Sequence, residues 1–182
     1  MFVKTTSLPV DDRRIVMAVG TVCQALFRDD DGKVPVVVRG YVNRVTKPAT
    51  DNYILVTPMS HVQLSKKRTT WDGETSIKDI TIPTRRRVQI DCCGSKAAVW
   101  AKTLFACLGD ITVVDMMAEY NVAPLWAEAP QDLTEADDNE QYHPRYMLEL
   151  QVQVNPTTSV ELESATEAII QVKNVLTQEY SQ

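Results

Sequence analysis

The sequence predicts a single α+β domain in which a mostly antiparallel, mixed sheet is packed by two helices. Three observations predict this class: an apolar stripe with helical spacing near the N-terminus, a second such stripe near the middle, and several β-branched segments of alternating polarity. The chain has 182 residues, of which 44% are hydrophobic, so it is long enough to bury one core. We therefore expect residues 1–182 to form one domain.

Both predicted helices are defined by an apolar stripe and by end signals. In the first, Asp12 suits the positive N-terminal end of a helix, and residues 29–32 end it. Its stripe consists of Ile15, Val19, Val22 and Leu26. In the second, Ser95 is the expected N-cap and Gly109 is the expected stop. Its stripe consists of Ala97, Ala101, Leu104 and Leu108.

Other segments have the character of strands. The main ones are rich in β-branched residues or alternate in polarity: residues 34–42, 53–64, 84–93 and 142–154. Residues 123–126 are expected to be a short extended piece, residues 169–175 a last strand, and residues 111–119 fit strand and helix equally. In the second strand, Pro58 predicts a break or bulge. The even-numbered residues there are expected to face inward: Ile54, Val56, Val62 and Leu64.

Two polar segments are expected to project from this fold. Residues 65–73 are predicted to form the exposed tip of a long hairpin arm, at about residues 60–80, whose return strand includes Ile77, Ile80 and Ile82. Residues 128–141 are acidic and poor in apolar side chains. We therefore expect them to form a flexible loop that is solvated or ordered by a partner.

The charge balance restricts the classes of function. The formal net charge of −5 argues against tight non-specific DNA binding, because such binding needs a dense positive surface. It is compatible with a wall along which DNA slides without being held. No signal-peptide pattern is present, and no segment approaches the roughly 18 apolar residues of a membrane span. We therefore expect a soluble, cytoplasmic protein.

Motifs for catalysis or metal binding are absent from the sequence. It contains no Walker-type phosphate loop, no dinucleotide-binding glycine motif, no nucleophile elbow and no HExxH zinc motif. A metal site would have to combine His61 and His143 with Cys92 and Cys93, but adjacent strand residues point to opposite faces. The four cysteines are expected to be buried, reduced thiols. We expect no catalytic residue, no cofactor and no metal.

Two basic clusters stand out from the acidic background. One lies at the predicted hairpin tip with a tryptophan nearby, and the other begins a predicted strand. Three interpretations stay open: solvated charges that discourage edge-to-edge strand pairing, a protein–protein contact, or a contact with nucleic acid. On the second interpretation the interface residues are Lys66, Lys67, Arg68, Trp71, Arg85, Arg86 and Arg87.

Several blocks, in one consistent order between about residues 34 and 156, carry a resemblance to a known family. The blocks are Asp51–Pro58, Thr69–Thr75, Thr84–Cys92, Gly94–Ala98, Ala123–Ala127 and Gln141–Tyr146. Together they resemble the phage neck terminator family. None of them is a catalytic motif, so the specificity of the resemblance lies in their combination.

The resemblance implies a structural protein of a tailed phage virion and not an enzyme. It implies a ring, expected to be hexameric, that lies at the head–tail junction, ends the tail tube and docks it to the head connector. The implied partners are further copies of the chain, the tail tube protein and the connector or adaptor protein, with no membrane. Genomic DNA would pass through the channel without specific binding. The implied location is the neck of the virion, after assembly in the host cytoplasm.

Three alternatives stay open at this point. A head-completion or tail-completion adaptor would share the fold class and differ in which partner each ring face meets. An enzyme, such as a phage nuclease or hydrolase, would need clustered carboxylates or a Cys–His pair in a pocket. A nucleic-acid-binding module would need both basic clusters on one continuous face, and its binding would weaken steeply with salt.

Overall fold

The structure, a computed structural model, describes residues 4–5, 12–28, 32–40, 48, 50–136 and 142–161. The helices in these ranges are α1 (Asp12–Leu26), α2 (Ala97–Cys107) and α3 (Ile111–Ala118). The strands are β1 (Lys4–Thr5), β2 (Val36–Arg39), β3 (Tyr53–Gln63), β4 (Arg68–Asp72), β5 (Ile77–Thr81), β6 (Thr84–Cys93), β7 (Val122–Ala127), β8 (Gln131–Asp132), β9 (Glu135–Ala136), β10 (Tyr142–His143), β11 (Arg145–Val154) and β12 (Thr157–Glu161).

The main sheet is mixed and mostly antiparallel. Its order is β2-β3-β6-β11-β7, and β8 also pairs with β11. The neighbours β2 and β3 run parallel, whereas the other pairs in this sheet are antiparallel. A second sheet has the order β1-β12-β5-β4, and β9 pairs with β10. The predicted α+β class is confirmed, with three helices in the described residues where the sequence predicted two.

All three helices pack against one face of the main sheet and bury a common core. The sheet residues that face the helices alternate with outward-facing ones, and those buried completely include Ile54, Val56, Val88, Ile90, Leu148, Leu150 and Val152. The helices add Ile15, Val19, Val22, Ala97, Ala101, Leu104, Val113 and Met117. Each large apolar side chain removed from water contributes about 1.5–3 kcal/mol, so this cluster is the main source of stability.

Helix α1 forms where the sequence predicts it and is attached to the sheet by its first residue. Asp12 lies in the first turn, where a negative charge is favourable. Its carboxylate accepts hydrogen bonds from the guanidinium groups of Arg86 on β6 and Arg39 on β2. These contacts hold the start of the helix against two strands of the main sheet.

Helix α2 is capped by a residue from a distant segment. The Oδ1 atom of Asn52 accepts hydrogen bonds from the backbone N–H of Lys96 at 3.0 Å and from the hydroxyl of Ser95 at 3.3 Å. The N-cap position belongs to Lys96, whose own side chain makes no capping bond. The prediction that Ser95 is the N-cap is therefore wrong, because a turn through Gly94 delays the helix by one residue. The helix ends just before Gly109, as predicted.

The ambiguous segment 111–119 forms helix α3. The carboxylate of Asp110 accepts a hydrogen bond from the backbone N–H of Thr112 at 2.8 Å, which satisfies a donor at the helix start. Val113 and Met117, one helical turn apart, are buried. Among the described residues no single helix could cross a membrane, and α2 and α3, which together have the length and composition to do so, meet at an angle of 89°.

The second half of β3 differs from the prediction. Ile54 and Val56 are buried as expected, but Val62 and Leu64 are 49% and 44% exposed. The register between β3 and β6 shifts just after Pro58. Because the side-chain period of a strand is two residues, this shift moves the following side chains to the other face. The bulge predicted at Pro58 is confirmed, and it makes the inward assignment of Val62 and Leu64 wrong.

The hairpin between β3 and β6 forms an arm (residues 64–83) that leaves the main sheet. Within it β4 pairs with β5, and β5 pairs on its other side with β12. Residues 64–67 connect β3 to β4, whereas only residues 82–83 connect β5 to β6. We call residues 64–67 the elbow of the arm. The outer side of β4 pairs with no strand among the described residues.

The tip of the arm is closed by Asp72. Its carboxylate accepts hydrogen bonds from the hydroxyl of Thr75 at 2.7 Å and from the backbone N–H of Glu74 at 3.0 Å, and these bonds hold the pKa of Asp72 below its usual range. The turn therefore occupies residues 73–76. The prediction that residues 65–73 form the tip is wrong, because this side-chain turn places the reversal later in the chain.

Of the remaining predicted segments, one is shorter than expected and two lie partly or wholly outside the described residues. The strand expected at 34–42 is β2, which follows Pro35 directly and lies at the edge of the main sheet. The loop expected at 128–141 contains β8 and β9, and its residues 137–141 lie outside the described part. The strand expected at 169–175 also lies outside the described residues.

The cysteines are free thiols. Cys23, Cys92 and Cys93 are buried, as expected, and Cys107 is partly exposed. Burial raises the pKa of the Cys92 thiol to about 12 and raises the pKa of Cys23 well above its ordinary value. Both groups therefore stay protonated at neutral pH and behave as small apolar side chains.

We expect replacement of Gly94 by alanine to lower the free energy of unfolding by about 2–3 kcal/mol. The φ angle of Gly94 is 98°, and an added Cβ would lie 2.2 Å from the carbonyl oxygen of Asp51. Urea denaturation measures the change. The matched control is Gly109→Ala, since an added Cβ meets no atom within 4 Å there, and we expect a change within about 0.5 kcal/mol. Equal losses in the two variants would contradict the prediction.

Candidate protein-interaction surfaces

The face of the main sheet opposite the helices carries a cross-strand polar network. Asp91 on β6 is 2% exposed, and Arg145 on β11 contacts its Oδ1 atom with Nε and with Nη2, each at 3.0 Å. Gln89 donates to the other carboxylate oxygen at 2.8 Å. Further along the strands, Arg87 pairs with Glu149 at 3.6 Å. These bonds satisfy the polar groups of this face within the chain, so it is a polar surface and not a second apolar core.

One end of the main sheet is acidic. The segment that precedes β11 lies there beside a cleft of about 640 Å³, in which burial raises the pKa of Tyr53 to about 12. Asp132 accepts hydrogen bonds from the hydroxyls of Thr134 at 2.6 Å and Tyr146 at 2.9 Å, and these bonds lower its pKa. The acidic segment expected to be flexible is therefore attached to β11 over residues 128–136, through β8 and this carboxylate.

The opposite end of the main sheet is basic. The elbow carries Lys66 and Lys67, Arg68 begins β4, and all three are exposed. In the described part of the chain none of them has an ion-pair partner. Trp71, on the same strand, is 48% exposed. The structure thus places these four predicted interface residues together on the arm, where their charges and ring are available to a partner.

The three consecutive arginines do not form one patch. Arg85 lies over the ring of Trp126, with 5.3 Å from its guanidinium carbon to the ring centroid, and Arg87 pairs with Glu149 on the same face. Arg86 points to the helix side, is 17% exposed, and pairs with Asp12. Because successive side chains of a strand point to opposite faces of the sheet, Arg86 is separated from Arg85 and Arg87. Arg86 therefore supports the fold, whereas Arg85 and Arg87 belong to the polar face.

An apolar cleft that the sequence patterns did not predict lies between the end of α2, the start of α3 and the edge strand β7. Its volume is about 230 Å³, and its lining residues are Phe105, Leu108, Gly109, Val114 and the stretch 124–127. Phe105, Leu125 and Trp126 are 43%, 41% and 48% exposed. A usable signal was present in the sequence, because Phe105 falls beside the apolar stripe of α2 and two large apolar residues are adjacent in β7.

The four sequence candidates for metal chemistry are not brought together as one group, although Cys93 and His143 both line the cleft beside the acidic segment. His61 lies in the half of β3 near the arm, whereas His143 lies on β10 near the start of β11. Cys92 is buried in the core, and Cys93 is on the other face of the strand. Among the described residues no group of three or more His, Cys, Asp or Glu side chains could hold a metal ion.

An α+β domain with an exposed arm, an aromatic-lined cleft and ends of opposite charge has the surfaces of a protein that works through contacts with other proteins. A comparison with models of protein families identifies this class. The family model described as phage neck terminator protein matches residues 15–178, so the chain belongs to this family. It is therefore a structural protein of the phage neck and a virion component, from a family that is not one of enzymes. A search of curated proteins found no match.

We expect Asp91→Ala to lower the free energy of unfolding by about 2–3 kcal/mol, because it leaves the partly buried Arg145 without its main partner. Urea denaturation at neutral pH measures the loss. The matched control is Glu135→Ala, which removes a second carboxylate from the same guanidinium. Its side chain is 73% exposed and 3.4 Å from Arg145, so we expect a loss below about 1 kcal/mol. A control as damaging as Asp91→Ala would refute this ranking.

Proposed function

We propose that the protein forms a closed, six-fold ring at the head-proximal end of the phage tail. The ring ends the growth of the tail tube and docks the tail to the head connector, while genomic DNA passes through the central channel. The observation that carries this proposal is the match of the neck terminator family across residues 15–178. The protein is assembled into the virion in the host cytoplasm.

A ring needs two different surfaces that meet head to tail, because a contact of one surface with its own copy gives a two-fold dimer. The chain has such unlike surfaces. The arm is basic at its elbow and carries an exposed tryptophan, whereas the segment before β11 is acidic and the cleft beside β7 is apolar. This difference in shape and charge supports a heterologous contact.

The proposed interface uses the arm and the polar face of the sheet. Lys66, Lys67, Arg68 and Trp71 supply the arm contacts, and Arg85 and Arg87 extend them onto the sheet. Arg86 is not part of the contact, because Asp12 already holds it under α1.

The proposed channel does not hold DNA tightly. A formal net charge of −5 supports this, since a negative surface repels phosphates and releases few counterions on contact.

Termination of the tail tube adds a second requirement for the proposed ring. One ring face must bind the tail tube, and the other must not resemble the surface to which the next tube subunit would bind.

The proposed function is tested first by removing the protein. We expect particles assembled without it to have overlong tails or tails without heads, when tail lengths are scored by negative-stain electron microscopy. Complementation with the wild-type chain should restore the normal length. Tails of normal length that lack heads would favour a completion adaptor instead. Normal tails on normal heads would refute a role in the neck, and the salt dependence of DNA binding would be measured next.

We expect the triple variant Lys66→Glu, Lys67→Glu, Arg68→Glu to assemble poorly while it folds normally, because the three side chains are exposed and make no ion pair in the described part of the chain. The yield of head-joined particles and the urea midpoint report the two properties separately. The matched control, Arg13→Glu, Arg28→Glu, Lys102→Glu, makes the same charge change at exposed positions outside the arm. If the arm variant gives the wild-type titre, these residues are only solvated charges.

A further inference from the structure

The apolar cleft has the features of a docking site for one large side chain. Phe105, Leu125 and Trp126 converge on it from a helix and an edge strand, each with more than two fifths of its surface exposed. Large apolar side chains that are exposed singly need no explanation, but a converging group with a concave surface marks a contact. The volume of about 230 Å³ matches a single large aromatic side chain and not a small-molecule pocket.

The edge strand beside this cleft is poorly suited to accept another strand. Pro124 has no backbone N–H, and the register of β7 against β11 shifts near Leu125. Proline and bulges are the devices by which sheets discourage pairing at an edge. The occupant of the cleft therefore enters with a side chain and does not extend the sheet.

The arm presents a suitable side chain. Trp71 lies on β4, which pairs with β5 and has its other side unpaired among the described residues. All residues of β4 are exposed, including Trp71 at 48%. Tryptophan combines a large apolar surface with few rotatable bonds, so its burial gives much contact area for a small loss of entropy.

Trp71 and the cleft belong to different sheets of the chain. Trp71 pairs with Lys78, and Lys78 pairs with Val160 on β12. The cleft residue Trp126 pairs with Gln151 on β11. Trp71 therefore lies in the second sheet and Trp126 in the main sheet, and no strand pairing joins β4 to β7 among the described residues. A contact between the two surfaces inside one chain would appear as cross-linking within that chain.

The charges around the two surfaces are complementary. The exposed carboxylates of Asp110, Asp115 and Glu128 are each adjacent in sequence to a lining residue of the cleft. The arm carries Lys78 opposite Trp71, besides the lysines and arginine of the elbow. Such complementarity steers two surfaces together and sets their register more than it adds affinity. Arg85, whose guanidinium lies over the ring of Trp126, is a cation beside the cleft. The three carboxylates outnumber it, so the rim favours the basic arm as its occupant.

We propose that the arm of one copy docks on the next copy, with Trp71 inserted into the apolar cleft formed by Phe105, Leu125 and Trp126. The occupant is a second copy of this chain, because the chain itself carries the matching ring and the matching charge. Each copy then gives one arm and receives one arm, so the contact repeats around a closed ring. This inference rests on the proposed ring and names the contact that builds it.

The first experiment cross-links the two surfaces in assembled particles. The variant Thr70→Cys, Glu128→Cys leaves Trp71 and the side chains that line the cleft in place. It is made together with Cys107→Ala, which removes the partly exposed native thiol. Particles are treated with a short bismaleimide, and the protein is analysed by denaturing gel. We expect a ladder of covalent oligomers that ends at the ring, because every copy carries both halves of the contact. The matched controls, with either new cysteine alone, should give no ladder.

The outcomes separate this inference from the proposed function. A ladder from the double-cysteine variant alone supports the docking. Cross-linking within one chain, or no ladder although the protein is present in head-joined particles, overturns the docking and leaves the ring untouched. Absence of the protein from the neck, seen by labelling the same particles, overturns the proposed function and the docking together.

The second experiment is independent of cross-linking. We expect Leu125→Lys to lower the titre of head-joined particles at least tenfold, because a buried lysine in the cleft would exclude the incoming ring. The matched control is Ile111→Lys at a position 69% exposed, which does not line the cleft and should keep the wild-type titre. The urea midpoint shows whether either variant folds. Wild-type titre from a folded Leu125→Lys protein refutes the inference.

Discussion

The structure depends on the register of β6 between its two neighbours. This strand pairs along its length with β3 on one side and with β11 on the other. Its even residues beyond Arg86, such as Val88 and Ile90, face the helices, while Arg85 and Arg87 face the opposite side. A slip of one residue would bury the outer arginines and expose the core residues. The core, the ion pair under α1 and the polar face are all consequences of this one alignment.

The sequence predicts the parts of the fold that depend on local pattern. The stripe of α1, the alternation of β6 and β11 and the strand-breaking role of Pro58 are all readable there, because each follows from side chains close together in the chain. It does not predict the features that depend on distant residues. Neither the cap that Asn52 provides for α2 nor the exposure of Val62 beyond the bulge can be read from nearby side chains. Phe105, Leu125 and Trp126 are visible in the sequence as large apolar residues, but the cleft that they line was missed because its walls come from three elements.

The charged residues divide into those that hold the fold and those that face outward. Arg86 with Asp12 and Arg145 with Asp91 are paired within the chain and partly or fully shielded from water. Lys66, Lys67 and Arg68 are exposed, and the described residues give them no such partner. Consecutive charges in the sequence look alike, and the structure separates them by the face and the element on which they lie. This separation leaves the arm's charges available to a partner without weakening the core.

The bond from Asn52 to Lys96 spans 44 residues and has a consequence for how quickly the chain folds. The start of α2 is satisfied only after the beginning of β3 has been brought beside the end of β6. The central pairings are also remote, since Arg145 pairs with Cys93 and Val154 pairs with Thr84. Chains dominated by such non-local contacts fold in about milliseconds to seconds, far more slowly than helical bundles. A newly made chain therefore exposes its strands during a slow search, until the remote pairings of the main sheet have formed.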